Sequence, residues 1–186
     1  MKNPNIPCPT KSEVEKYLAK WEKDDDLKET EKNLVRLFQE TYPKNDDVYE
    51  IWIKVQTLNS AFNVNVPEIH KVANHILRLS KNGTLTIEEI RIGHGAQRRG
   101  ATRESNLYSF ATKYYSFSHQ REHPIFDSNV ETALKYFRDK CGKEFSFNFG
   151  NNDLRVYTRF VKVIENFQKV FDLKKYSFRE INPVAH

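Results

Sequence analysis

Apolar residues recur along most of this chain at the three-to-four spacing of amphipathic helices rather than the alternation of strands. Val14, Tyr17, Leu18 and Trp21 follow Thr10 and Glu13, which have capping-box spacing behind Pro9, and they predict a first helix. The charged run EKDDDLKETEK leads to a second stripe, Leu34, Leu37 and Phe38, that should end near Pro43. Ile51, Val55, Leu58 and Phe62 mark a third helix, and Ile69, Val72, Ala73, Ile76 and Leu77 mark a fourth that Asn82-Gly83 should close. Thr86 and Glu89 repeat the capping-box spacing and open a short helix through Ile90.

Periodicity then lapses in RIGHGAQRRGATRESN, which reads as an exposed loop, and returns at Leu107, Phe110, Ala111, Tyr114 and Phe117. SHQREHP interrupts it once more before Val130, Ala133, Leu134 and Phe137, with Gly142 as the expected stop. Phe145, Phe147 and Phe149 alternate, so 145–149 is either a short extended segment or an aromatic loop packed on the core. A long last helix should carry Leu154, Tyr157, Val161, Ile164 and Phe171. The expected class is all-α, a compact helical bundle. It forms a single domain over 1–186, or two lobes: a central one at about 48–126 and a second made of 1–45 plus 128–186.

Composition narrows the function classes. Thirteen Phe, nine Tyr and two Trp supply a large apolar core for 186 residues. No stretch reaches the roughly 18 apolar residues of a membrane span, and the first residues lack the apolar run of a secretion signal, so a cytoplasmic location without membrane partners is expected. Cys8 and Cys141 are too few for a disulfide framework or a four-cysteine metal site and read as two free thiols. GAQRRGAT has the two glycines of a phosphate loop, but Ala101 stands where the lysine belongs and no strand precedes it, which argues against nucleotide hydrolysis. No cofactor is implied.

Charge is uneven. Residues 1–80 carry 12 Lys+Arg against 13 Asp+Glu (12 − 13 = −1), and residues 81–186 carry 18 against 12 (18 − 12 = +6). The second half is the better polyanion surface, and Arg98, Arg99 and Arg103 place three guanidinium groups on its glycine-bearing loop. His119, His123 and Asp127 fall four apart, but Pro124 breaks the helix that would align them, and no metal site is assigned. Asp127 itself is most economically a helix cap, with Ser128 and Glu131 also at capping-box spacing. A capping carboxylate is also a fixed anion, suited to a reaction that develops positive charge.

SFATKYYSF, the approach HPIFD and the following helix SNVETALKYF together resemble the helix-hairpin-helix DNA glycosylase superfamily, whose catalytic aspartate follows a hairpin. WIKVQTLNSAFNVNVPEIHKVANHIL is similar to a helix pair with a Gln-Thr step upstream in that superfamily. YSFREIN looks like the tail of a small bacterial branch with the 8-oxoguanine glycosylase fold. The likeness covers about 48–180. It departs at the hairpin, where the glycine-rich LPGVG is absent and IGHGAQRRGATRESN stands in its place, so that backbone gripping would pass to Arg98, Arg99 and Arg103.

The resemblance implies an enzyme that flips a damaged or modified base out of duplex DNA and cleaves its N-glycosidic bond, with Asp127 stabilising the oxocarbenium-like sugar. At the spacing of the superfamily's strand-cleaving lysine stands Ser109, and Lys113, one turn later on the same face, is the available amine. Gln56 and Asn59, three apart on one helix, are candidates to read the flipped base. Trp52 and Phe62 fit the core better than a stacking platform. The partner would be DNA, with RNA an open alternative, and the protein would then be nucleoid-associated. Two other classes are a non-catalytic nucleic-acid-binding module on the same fold and a helical protein-interaction module.

Overall fold

The structure, a computed structural model, describes residues 8–119 and 122–181. Among these residues all regular structure is helical: α1 (Lys11–Trp21), α2 (Asp25–Arg36) continuing into a π turn (Leu37–Thr41), α3 (Val48–Phe62), α4 (Ile69–Lys81), α5 (Ile87–Ile90), α6 (Tyr108–Ser118), α7 (Ser128–Phe145), a 3-10 turn (Asn151–Arg155), α8 (Tyr157–Val170) and α9 (Phe178–Ile181). No helix among them is long and apolar enough to cross a membrane. The all-α expectation holds, and 145–149 is no strand: Phe145 ends α7 and Phe147 is buried in the turn that follows.

The chain divides into two compact units, a central one of residues 25–126 and a terminal one of 8–24 with 127–181. The boundary differs from the expected lobes because α2 belongs to the central unit. Phe38, on the π turn that prolongs α2, packs edge-on against Tyr114 (centroids 5.2 Å) and against Phe117 (5.8 Å). Caps start the helices where short polar side chains precede them: the Asp47 carboxylate accepts from the Tyr49 and Glu50 N–H groups at 2.8 and 3.1 Å, and Thr86 accepts from Glu89 at 3.3 Å.

In the central unit Ile51, Val55 and Leu58 of α3, Val72, Ala73 and Ile76 of α4, and Phe110, Ala111, Tyr114 and Phe117 of α6 form the core. Trp52 departs from expectation: its side of α3 faces water and the ring is 44% exposed. Lys54, by contrast, is only 1% exposed. Its ammonium donates to Tyr42 O (3.0 Å), Lys44 O (2.6 Å) and Asn45 Oδ1 (2.7 Å), and it lies 5.5 Å from the Phe38 ring centroid. Asn45 Oδ1 also accepts from the Tyr114 hydroxyl at 2.5 Å. One buried cation therefore closes the segment between the π turn and α3 onto α6.

In the terminal unit the phenylalanines cluster. Phe147, Phe167 and Phe171 meet at centroid distances of 5.0–5.7 Å, and Phe137 joins Phe167 at 5.7 Å. Gly142 does not stop α7, which runs on to Phe145 and ends with Ser146 in the left-handed region (φ 55°). The glycine is required because a Cβ there would lie 2.4 Å from the Phe147 carbonyl oxygen. Helix α1 has no fully buried residue despite its apolar stripe. Polar contacts hold it instead: Lys11 with Asp172, Lys175 with Glu15 (2.8 Å), and the Tyr176 hydroxyl with Glu15 (3.0 Å). Cys8 and Cys141 are not free thiols. They form a disulfide, with Cα atoms 6.1 Å apart, that fastens the segment before α1 to α7.

Burial pushes the Lys54 ammonium down to about 8, against the pull of Glu50 and Asp46. Because the unfolded chain keeps that proton up to its ordinary value of 10.5, stability should rise with pH between about 8 and 10.5. Urea titrations across this range should show the rise in wild type and its absence in Lys54→Met. That variant should also lose about 3 kcal/mol at pH 7 by removing the donor shared by the Tyr42 and Lys44 carbonyls and Asn45 Oδ1. Reduction of the Cys8–Cys141 crosslink, which spans 133 positions, should cost at most about 5 kcal/mol on the loop-entropy account. Hydrogen exchange with and without dithiothreitol should show that loss in α1 and α7 and leave α3, α4 and α6 unchanged.

Candidate nucleic-acid interface

The arginine loop is a built structure. Leu107 N–H donates to Arg91 O at 3.0 Å and closes its ends, Ser105 N–H donates to Ala96 O at 2.9 Å, and Ala101 N–H donates to Arg98 O at 2.9 Å across the tip. The tip turn needs Gly100, whose φ of 79° suits the third position of a type II turn. Gly93 and Gly95 also lie in the left-handed region, at φ 76° and 67°.

Beneath the tip, two carboxylates and two histidines satisfy the loop's backbone. Glu104 Oε1 accepts from the His94 and Gly95 N–H groups at 2.7 and 3.1 Å, and Glu68 Oε2 accepts from Gln97 N–H at 2.9 Å. The Lys71 ammonium, 2.8 Å from Glu68, is the leading cause that holds this carboxyl below its ordinary value. His94 is buried, and its Nδ1 accepts from Ala96 N–H at 2.9 Å. Burial, with His75 nearby, pushes the imidazole below its ordinary value against the pull of Glu104, whose Oε1 lies 3.2 Å from Nδ1. His75, also buried, accepts from Arg78 Nη2 at Nδ1 (2.7 Å) and donates from Nε2 to Glu89 O (2.8 Å), while Arg78 reaches Gly93 O at 3.2 Å.

Arg98, Arg99 and Arg103 are exposed, and none of their side chains makes a hydrogen bond or ion pair with another described residue. Three uncompensated guanidinium groups on a braced loop are an electrostatic footprint for phosphates. The sequence shows the arginines and glycines. Glu68, His75, His94 and Glu104 had no signal there, because their role consists of contacts to backbone N–H and C=O groups up to 29 positions away.

Lys113 lies in α6 and is 4% exposed. Long helical side chains lean toward the N-terminus, and its Nζ accordingly reaches back one turn to Ser109 Oγ at 3.0 Å, with the Phe62 ring centroid 5.6 Å away. The amine thus occupies the level of Ser109. The preceding residue, Thr112, exchanges hydrogen bonds with Phe126: its hydroxyl accepts from Phe126 N–H (3.1 Å) and donates to Phe126 O (3.3 Å). Ser116 donates to His123 O at 2.9 Å. Together these contacts pin the HPIF segment onto α6.

Asp127 opens the terminal unit as the N-cap of α7, its Oδ1 accepting from the Asn129 and Val130 N–H groups at 3.0 and 2.9 Å. Glu131 takes no part in this cap and pairs instead with Lys135 and Arg155, both at 2.7 Å. Asp127 and Lys113 belong to different units, each described by itself. Gln56 is exposed on α3, whereas Asn59 spends its oxygen on Val66 N–H (2.8 Å) in the turn after the helix, so the two carboxamides do not act as a pair. His119 stacks on Tyr115 (4.0 Å) and bonds its carbonyl through Nδ1 (2.8 Å), and His123 meets the same ring edge-on (5.0 Å). No group of three potential ligands fit to hold a metal occurs among the described residues.

A family model described as the N-terminal domain HI_0787_N matches residues 13–123, more than half of the chain, and the chain belongs to that family. The match takes in the arginine loop and Lys113 and ends before Asp127. Among curated proteins, an "Uncharacterized protein" of Haemophilus influenzae (strain ATCC 51907 / DSM 11121 / KW20 / Rd) is 35% identical over 127 residues, which is 63% of this chain. The alignment spans 57% of that protein's length. No solved structure matches.

Since the folded His94 is held below its ordinary 6.5, opening of the loop takes up a proton, and the stability this histidine contributes is lost as pH falls from 6.5 through its folded value. Amide exchange at Ala96 should therefore accelerate, relative to the intrinsic rate, below pH 6.5. Glu104→Ala should speed exchange at His94 and Gly95 at all pH values by about tenfold or more, the expected effect of losing a charged acceptor worth about 1.5–3 kcal/mol.

Proposed function

We propose that the protein is a DNA-directed enzyme of the glycosylase kind, which takes a damaged or modified base out of the stack and cleaves its N-glycosidic bond. The observation that carries this reading is the placement of Lys113 Nζ, buried beside Ser109 Oγ at 3.0 Å. Withdrawal of an amine from water is a common route by which a lysine becomes a nucleophile. In that step the free amine attacks C1′, the N-glycosidic bond breaks, and the base leaves with the bonding pair and a proton. The sugar stays joined to Nζ; the nitrogen lone pair then expels O4′, which takes a proton as the C1′–O4′ bond breaks, and the resulting Schiff base is the species from which strand cleavage proceeds by elimination. The resemblance gives the part of the anion that steadies a cationic sugar to Asp127, a carboxylate fixed by two backbone N–H groups in the terminal unit. Arg98, Arg99 and Arg103 hold the phosphate backbone, a contact that positions without reading sequence. Such an enzyme works where DNA is, in the cytoplasm at the nucleoid.

The burial of Lys113 also favours a second reading, a non-catalytic nucleic-acid-binding module that uses the arginine loop alone. It makes a distinctive demand on Glu104. Glu104→Ala raises the net positive charge, so a contact governed by charge alone would tighten, whereas a braced grip would weaken.

Borohydride trapping with parallel base release, on DNA and RNA oligonucleotides carrying oxidised, alkylated or deaminated bases, tests both readings. The enzyme reading expects an adduct in wild type, none in Lys113→Met, and a loss of base release of about a hundredfold in Asp127→Asn. Asparagine caps a helix as well as aspartate does, so this last variant removes the charge and leaves the fold. Release without an adduct would leave Asp127 in its role and remove Lys113 from it. Absence of release from every substrate, with salt-dependent retention that Arg98→Glu, Arg99→Glu and Glu104→Ala each weaken, would establish the binding module instead.

A further inference from the structure

The terminal unit carries a groove that none of these roles uses. It is open to solvent and holds about 280 Å3, just below ligand pockets, which run from roughly 300 to 1,000 Å3. Its lining comes from the segment after α7 and from the first turns of α8: Asn148, Phe149, Asp153, Arg159, Lys162 and Asn166. Asp153 is fully engaged, accepting from Gly150 N–H at 2.8 Å through one oxygen and pairing with Arg159 at 3.3 Å through the other. Arg159 is thereby oriented while its side chain stays 61% exposed.

Phe149 is braced as well. The Arg138 guanidinium lies over its ring, 5.0 Å from the centroid, and donates to its carbonyl at 3.3 Å, while Phe147 meets it edge-on at 5.4 Å. The remaining groups are unspent: the side chains of Asn148, Lys162 and Asn166 make no hydrogen bond or ion pair with other described residues. A held aromatic ring, two uncommitted carboxamides and two cations therefore share one small groove.

We infer that this groove binds a nucleotide, its base against Phe149, its base edge on Asn148 and Asn166, and its phosphate on Lys162 and Arg159. A carboxamide presents a donor and an acceptor side by side, as the edge of a base does, and every base has a face that stacks on an aromatic ring. Arginine and lysine complete the match to phosphate, the first as a fork and the second as a point charge. A simple anion would engage the cations and leave the ring and the carboxamides idle. The inference goes beyond the proposed activity and does not depend on it, since Lys113, Asp127 and the arginine loop take no part. The same chemistry serves a free nucleotide or the phosphorylated end of a strand.

Isothermal titration of the full chain with the four deoxynucleoside 5′-monophosphates, inorganic phosphate and a 5′-phosphorylated tetranucleotide decides the matter. At least one mononucleotide should bind saturably and tenfold or more tighter than phosphate. Lys162→Gln and Asn166→Ala should each weaken that binding tenfold or more, whereas Lys169→Gln, on the same helix but outside the groove, should leave it unchanged. Tetranucleotide binding that Lys162→Gln weakens tenfold or more, and that equals or exceeds mononucleotide binding, supports the inference with a strand end as the natural ligand, and weaker binding supports it with a free nucleotide. Equal affinity for phosphate and mononucleotides, no saturable binding at all, or binding indifferent to Lys162→Gln and Asn166→Ala each overturns it. The outcome is separable from the trapping experiment, because a failed glycosylase leaves this groove intact and a silent groove leaves Lys113 and Asp127 untouched.

Discussion

Helix α6 is enclosed on nearly every side, with Tyr108, Phe110, Ala111, Thr112, Lys113, Tyr114, Ser116 and Phe117 all buried. A helix so placed has no water to satisfy its polar side chains, and each must find a partner inside the protein or cost about 1–3 kcal/mol. That constraint organises the central unit. Thr112 and Ser116 spend their hydroxyls on the backbone of Phe126 and His123, which fixes the HPIF segment on α6. Lys113 turns back to Ser109. Tyr114, whose burial pushes its phenol well above the ordinary value, donates to Asn45 and so joins the loop that Lys54 closes. Lys113, the amine that a glycosylase reading singles out, is thus one that the core must satisfy in any case.

The arginine loop solves the converse problem. A long irregular segment must account for its backbone N–H groups, and here glutamate and histidine acceptors do so from beneath. The outer surface is left to arginines that carry no structural duty. A loop held only by its own turns would let three like charges spread apart. Anchoring at Glu104, Glu68 and His94 fixes the backbone that carries them.

Where the pattern along the chain reports burial on one side of one helix, it was legible. The stripes of α3, α4 and α6 reappear as the core, and the capping position of Asp127 is as expected from its residue type. What failed to show was whatever depends on a partner distant in sequence. Gly142 looks like a helix stop from its neighbours alone, yet it is needed for the close approach of the Phe147 carbonyl. The stripe of α1 has the right period and still buries no residue fully, because ion pairs and a disulfide hold the helix. Cys8 and Cys141 stand 133 positions apart, and nothing local marks them as a pair. Of the site, the arginines and Lys113 were visible as residue types, but the scaffold under the loop and the reach of Lys113 to Ser109 are tertiary facts.

The disulfide and the proposed activity pull in different directions. A reducing cytoplasm keeps ordinary protein thiols free, and DNA-directed chemistry belongs in that compartment. If both hold, the Cys8–Cys141 crosslink is open while the enzyme works, and α1 then rests on contacts between exposed charges, which are individually worth little. The central unit contains neither cysteine. Its buried lysines and braced loop therefore persist in either redox state, and any role that resides in them is independent of how α1 is held.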